Sequence, residues 1–207
     1  MQTMEVINMQ KEYSANLTGE PYLYFELKQV AKLKLMGLSN KEIRQKIAEE
    51  NLFQYDTNKS ISKILSATLN RVEVLDEALL DMLVNGSLQT SKLVALIAVM
   101  KINRLFLEFV VEVYKEKVRI LEPALEAKDF RIFFNNKTEQ NSKVASWQDY
   151  TLQKLAQVYC KILFESGLLS DVRKKVLTPP TIDEDLREHL RKNGDAGIIA
   201  AITGGRK

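Results

Sequence analysis

Apolar residues recur at helical spacing along almost the whole chain, and the places where the rhythm stops divide it into well-marked helices. Residues 1–17 are polar and predict a loose tail. Pro21 suits a first helical turn, and in "YLYFELKQVAKLKLMG" Leu23, Leu27, Val30 and Leu33 form one apolar stripe. Gly37 ends that helix as a left-handed cap would. Ser39 and Glu42 have the spacing of a capping box for a second helix, whose inner face is Ile43, Ile47 and Ala48. "NLFQYDT" predicts a turn, with Asp56 or Thr57 starting a third helix that runs to about Arg71.

The third helix divides into two faces. Ile61, Ile64, Leu65, Leu69 and Val72 lie on one, and Lys59, Ser62, Lys63, Ser66 and Asn70 on the other. Short polar and basic residues with no acid among them suit a helix facing a nucleic-acid groove. Lysines reach phosphates there, and Ser or Asn approach base edges without repulsion. An ordinary solvated face is the competing reading, although such a face more often mixes in carboxylates.

Residues 72–84 and 88–118 predict two long helices joined at "NGS". The second is apolar around most of its circumference, with one polar stripe through Lys101, Arg104, Glu108 and Glu112, and reads as a central core strut. Pro123 marks a boundary, giving a tail (1–17), an N-terminal helical lobe (18–121) and a C-terminal lobe (122–207). In the last, "FRIFFNNK" predicts an apolar helix ending in asparagines. A capped helix follows from about Asp149 to Gly167, with Leu152, Leu155, Tyr159, Ile162 and Leu163 inward and Tyr150, Lys154, Gln157 and Lys161 opposite. "LLSDVRKKVLTPP" can then form a hairpin with Arg173, Lys174 and Lys175 near its tip. Helix followed by basic hairpin is the order of a winged helix-turn-helix, and a solvated loop is the alternative. The expected fold class is all-α, two helical lobes with helix-turn-helix character and a small β-hairpin wing.

Composition narrows the function. The 207 residues are 45% hydrophobic and 28% charged, as in a soluble globular protein. The net charge of +3 is too weak by itself to indicate nucleic acid, but its distribution is uneven. Lys28–Arg71 holds nine Lys/Arg against four Asp/Glu, Val72–Ser91 four acids and no base, and Arg131–Lys161 five bases against two acids. Two separated basic segments are compatible with one positive face or with two ordinary solvated helices. A single Cys160 and a single His189 argue against a zinc site and internal disulfides, and fit a reducing cytoplasm. No glycine-rich phosphate loop, signal peptide or uncharged apolar span is visible, and no spacing assembles a nucleophile, base and orienting acid. The expectation is therefore no enzyme, no cofactor, no metal, no small-molecule substrate and no membrane.

Several segments carry a family resemblance. "YSANLTGEPYLYFELKQVAKLKLMGLSNKEIRQKIAEENLFQ", "RVEVLDEALLDMLVNG", "KINRLFLEFVVEVYKEK", "FFNNK", "WQDYTLQKLAQVYCKILFESGLL" and "TPPTIDEDLREHLRKNGDAGIIAAITG" follow one another as in the BrxA family. The chain resembles that family over roughly residues 13–203. The strongest marks are W-x-D-x-T-x-x-K-L at Trp147–Leu155 and N-R-L-x-x-E-F at Asn103–Phe109. The resemblance implies a small component of bacterial BREX phage-defence systems, all-α with helix-turn-helix character, that binds double-stranded DNA. The family has also been described as inner-membrane, which the charges within the apolar segment argue against. It supplies no contact residues. From helix faces alone, the expected DNA-contacting set is Lys59, Ser62, Lys63, Ser66, Asn70 and Arg71, with Lys154, Gln157, Lys161, Arg173, Lys174 and Lys175. A scaffold for other BREX proteins, and RNA binding through a helical antitermination-factor-like fold, are the alternatives.

Overall fold

The computed structural model describes residues 11–205, and the fold is all-α with one small hairpin. The chain forms two compact units, one of residues Tyr22–Ile102 and one that joins the segment ending at Pro21 to the chain from Asn103 onward.

In the Tyr22–Ile102 unit, α1 (Tyr24–Leu35), α2 (Asn40–Glu50), α3 (Asn58–Val72), α4 (Glu77–Asn85) and α5 (Leu88–Ile102) pack around Leu27, Val30, Ile43, Ile47, Ile61, Leu65 and Leu79. Helix α1 starts at Tyr24 rather than at Pro21, because Leu23 sits in the left-handed region (φ 53°). Its end is as expected. Gly37 has φ 83°, its N–H donates to the Lys34 carbonyl (2.9 Å) and that of Leu38 to the Leu33 carbonyl (3.3 Å), which is a Schellman cap. The Ser39–Glu42 capping box forms, and Thr57 caps α3 by accepting from the Ser60 N–H at 3.2 Å. Ala48 departs from the expected inner face and is exposed, so α2 buries only Ile43 and Ile47. Asp76 caps α4, and the predicted helix from residue 72 therefore begins at Glu77. In α5 every residue from Leu93 to Met100 is buried.

The predicted helix 88–118 breaks at Asn103, which has extended backbone (φ −113°, ψ 102°) and caps the next helix by accepting from the Phe106 N–H at 2.8 Å. The boundary between the two compact units falls there. Helix α6 (Arg104–Phe109), a π-turn (Val110–Tyr114) and α7 (Lys115–Arg119) continue the second unit. It is completed by α8 (Ala127–Gln140), α9 (Ser142–Ala145), α10 (Asp149–Glu165), β1 (Leu169–Asp171), β2 (Val176–Leu177), α11 (Glu184–Lys192) and α12 (Ala196–Thr203). Helix α8 does not end at its asparagines but runs on to Gln140, burying Phe130, Phe133, Phe134 and Lys137 along one side. Phe130 stacks on Phe109, Phe133 meets Phe109 edge-on and Phe134 lies tilted against Tyr159, ring centroids lying 4.9–5.8 Å apart. Helix α10 has no side-chain cap at Gln148 and closes with a second Schellman cap at Gly167.

The expected loose tail is ordered wherever the structure describes it; residues 1–10 lie outside the described residues. Tyr13 and Leu17 are buried, and Asn103 donates through Nδ2 to the Ser14 carbonyl (3.3 Å) and Asn16 Oδ1 (2.9 Å). The Tyr13 hydroxyl donates to Glu108 at 2.8 Å, and Glu108 also takes Arg104 at 2.7 Å and Lys137 at 2.7 Å. Lys137 reaches Glu112 at 2.6 Å as well. Burial by itself would raise the Glu108 carboxyl, but hydrogen bonds from Lys137, Arg104 and Tyr13 hold it below its ordinary value. Burial would likewise lower the Lys137 ammonium, and Glu108 and Glu112 hold it above.

Candidate nucleic-acid interface

Helices α2 and α3 meet through a fixed joint. Asn51 closes α2 in the left-handed region (φ 43°), and its side chain clamps the main chain of Tyr55, donating to the carbonyl (3.0 Å) and accepting from the N–H (3.1 Å). The Tyr55 hydroxyl donates to Glu26 on α1 at 2.6 Å, and burial together with that bond pushes the phenol well above its ordinary range. The joint thus holds α3 at one angle to α1 and α2.

On α3, Lys59, Ser62, Lys63 and Asn70 are exposed on a single side, while Ser66 is half-buried. Among the described residues neither lysine has an ion pair, and the residues three and four positions away from Lys63 include no carboxylate. Arg71 does not join them. It is fully buried, and its Nη1 donates to the Tyr22 carbonyl at 2.6 Å. One position beyond Asn70, the helical rotation carries it round to the core side, where it ties the end of α3 to the start of α1. Its assignment as a DNA contact is corrected accordingly.

Sequence reasoning missed Arg44. From the exposed side of α2 its Nη1 donates to Ser66 Oγ on α3 at 3.2 Å, and Ser66 Oγ donates in turn to the Ser62 carbonyl at 2.9 Å. The signal available was slight: Arg44 follows the buried Ile43 and so flanks the apolar stripe on the side next to α3.

The remaining predicted contacts lie in the other unit. Lys154, Gln157 and Lys161 are exposed on α10, but Lys161 faces Glu165 at 3.6 Å one turn on. The hairpin forms as expected, Leu169 pairing with Leu177. Ala124 bridges Val176 on the other side of β2, so the sheet order is Ala124, β2, β1. Arg173 and Lys174 are exposed at the tip, whereas Lys175 is half-buried and its carbonyl accepts from the Leu125 N–H at 3.0 Å. The tip also holds an acid: Asp171 accepts from the Lys174 N–H at 2.6 Å, and that bond holds its carboxyl below the usual range. Beside α10, an open groove of about 350 Å³ runs along α8, with Phe130, Phe134, Leu152 and Ala156 in its floor and Arg131 and Asp149 on its walls.

A BrxA family model matches residues 11–194, and a BREX protein BrxA of Bacillus cereus (strain H3081.97) is 39% identical over 193 residues, covering 93% of this chain and 96% of the relative. The chain belongs to the BrxA family. A BREX protein BrxA of Paramagnetospirillum magneticum (strain ATCC 700264 / AMB-1) is 26% identical over 190 residues, covering 92% of this chain and 96% of that one. A crystal structure of an uncharacterized protein from Magnetospirillum magneticum superposes with a TM-score of 0.81 at 26% identity, covering 94% of this chain and all of that one. The family segment N-R-L-x-x-E-F has an architectural explanation here: Asn103, Arg104 and Glu108 bind the incoming 11–18 segment. Among the described residues, no helix is long and apolar enough to cross a membrane.

Proposed function

We propose that this chain is a BREX component and that it acts as a non-enzymatic double-stranded-DNA-binding accessory protein, with α2 and α3 as a helix-turn-helix. The BREX assignment rests on the two BREX BrxA relatives in Bacillus cereus and Paramagnetospirillum magneticum. The observation that carries the DNA reading is the solvent side of α3, where Lys59 and Lys63 stand one turn apart among Ser62 and Asn70, with no ion pair among the described residues. A solvated helix face can neutralise its lysines with i,i+4 carboxylates, as Lys46–Glu50 does on α2 at 2.6 Å. Leaving two lysines unpaired beside small polar residues favours a polyanion that approaches closely. The order Ala124, α8, α10, hairpin, with Ala124 on the outer side of β2, resembles a winged helix and supports the same reading for the second unit.

Fluorescence anisotropy with labelled duplex DNA, single-stranded DNA and RNA, each titrated with salt, tests this. The K59A/K63A variant should weaken binding to every duplex about equally and flatten the logarithmic salt slope by up to about 2. Its fold should survive, because alanine is the better helix former at exposed sites. Lys154→Ala should give the same signature if α10 also lies on DNA. Salt-insensitive binding, or preference for single strands, would overturn the proposal. A second reading, docking of other BREX proteins, draws on the apolar groove between α8 and α10. It would show as duplex-independent association that survives moderate salt.

A further inference from the structure

We propose that Arg44 and Ser66 build a phosphodiester-binding subsite at the meeting of α2 and α3, an inference that rests on the duplex-binding reading above. Three observations carry it. The first is the direction of the hydrogen bonds. Ser66 commits its hydroxyl proton to the Ser62 carbonyl (2.9 Å), which leaves its oxygen to accept from Arg44 Nη1 (3.2 Å). The guanidinium is therefore held across the exposed side of α3 instead of sweeping through solvent, and among the described residues only one of its five N–H groups is used.

The second is the missing carboxylate. The residues three and four positions from Arg44 are Asn40, Lys41, Ile47 and Ala48, so no helical ion pair is available to it. The acids of α2 are engaged elsewhere: Glu42 with Ser39 at 2.8 Å, Glu49 with Gln45 at 2.9 Å and Glu50 with Lys46 at 2.6 Å. The third is the company Arg44 keeps. Lys63 stands one turn before Ser66 on the same helix, and Lys59 one turn before that, both exposed and, among the described residues, without ion pairs. Cations from two helices thus line one surface, with a planar fork pinned at one end. A guanidinium held in this way matches the paired oxygens of a phosphodiester, whereas lysine offers only a point charge.

The subsite makes α2 a contributor to affinity as well as a support for α3. Arg44 supplies a backbone phosphate contact and Ser66 is a positioning residue acting through it. Neither reads sequence, so the effect should be the same on duplexes of any sequence.

The test uses the full chain and a fluorescein-labelled duplex, with anisotropy followed from 50 to 200 mM salt. Arg44→Ala should lower the salt slope by about 0.9, the contribution of one neutralised phosphate. R44K should restore the slope but bind more weakly than wild type at any one salt concentration, because the charge returns without the fork. Ser66→Ala should keep the wild-type slope and also bind more weakly. The R44A/S66A double variant should bind no more weakly than R44A, since Ser66 acts only through Arg44. A slope unchanged in R44A while K59A/K63A flattens it overturns this subsite and leaves the duplex-binding reading standing. A wild type without salt-dependent duplex binding overturns both. Additive losses for R44A and S66A overturn the positioning role. Arg44 is exposed, so its variants should melt with the wild type, and R44K supplies a folded comparison if R44A does not.

Discussion

Replacing Glu108 with glutamine removes the charge at the centre of the contacts that hold residues 11–18 onto the second unit. The carboxylate takes Tyr13 at 2.8 Å, Arg104 at 2.7 Å and Lys137 at 2.7 Å, and the Lys137 side chain is only 5% exposed. Breaking a buried ion pair from one side typically costs about 3–5 kcal/mol. Here Lys137 keeps Glu112 at 2.6 Å. The glutamine oxygen can still accept a hydrogen bond, so the expected loss is about 2–3 kcal/mol at pH 7. For a chain of this size that lowers the melting midpoint by roughly 4–12 °C.

The pH dependence has a definite sign. Glu108 is held below its unfolded value, so its contribution is complete above the unfolded pKa and disappears as pH falls through the folded one. The deficit of E108Q should therefore be full at pH 7 and shrink in acid, where the wild-type carboxyl is itself protonated. Urea unfolding of both proteins at pH 7 and pH 3 measures this. Equal stability at pH 7, or a deficit of the same size at pH 3, would refute the assignment of Glu108 as the charged centre of the network.

Other expectations follow from single residues. Arg71→Ala should cost about 2–4 kcal/mol in urea unfolding, by stranding the Tyr22 carbonyl and opening a cavity, while duplex affinity of the folded protein stays unchanged. Gly204→Ala should cost about 2–4 kcal/mol, because its Cβ would stand 2.3 Å from Val118 Cγ1 at φ 70°. Gly37→Ala, also at positive φ but with nothing within 4 Å, should cost only about 1 kcal/mol. Burial pushes the Cys160 thiol up to about 11, so the native protein should resist alkylation at pH 8 and react stoichiometrically once denatured, as mass spectrometry would report.

What was legible in the sequence was what acts over a few residues. Gly37, the Ser39–Glu42 pair, Thr57 and Gly167 each satisfy backbone groups within one turn, and each marks a helix end where expected. The two faces of α3 were legible for the same reason, since burial follows a fixed rotation per residue. The misses depend on partners distant in sequence. Arg71 looked like the end of a basic face because its acceptor, the Tyr22 carbonyl, lies 49 residues earlier. Asn103 is the exception: its cap on the Phe106 N–H is local and was overlooked, and only its hold on Ser14, 89 residues away, lay beyond local reading. Tyr13 looked like part of a loose tail until Glu108 supplied its acceptor. Arg44 gave no charge-pair signal, since its partner is a serine hydroxyl on another helix.

The same distinction bears on where to look for function. N-R-L-x-x-E-F, one of the segments that carry the resemblance to the family, is accounted for here by architecture: a helix cap, an anchored N-terminal segment and a nearly buried ion pair. Such positions tolerate little change, because each group satisfies several partners at once. The solvent side of α3 carries few such obligations: among the described residues Lys59 and Lys63 hold no ion pair, which under the proposed reading leaves them for a phosphate. Substitutions at Asn103, Arg104 or Glu108 should therefore lower stability before any binding is lost. Substitutions at Lys59 or Lys63 should change binding and leave stability alone. Measuring both quantities on each variant separates the positions that hold this protein together from those with which it holds something else.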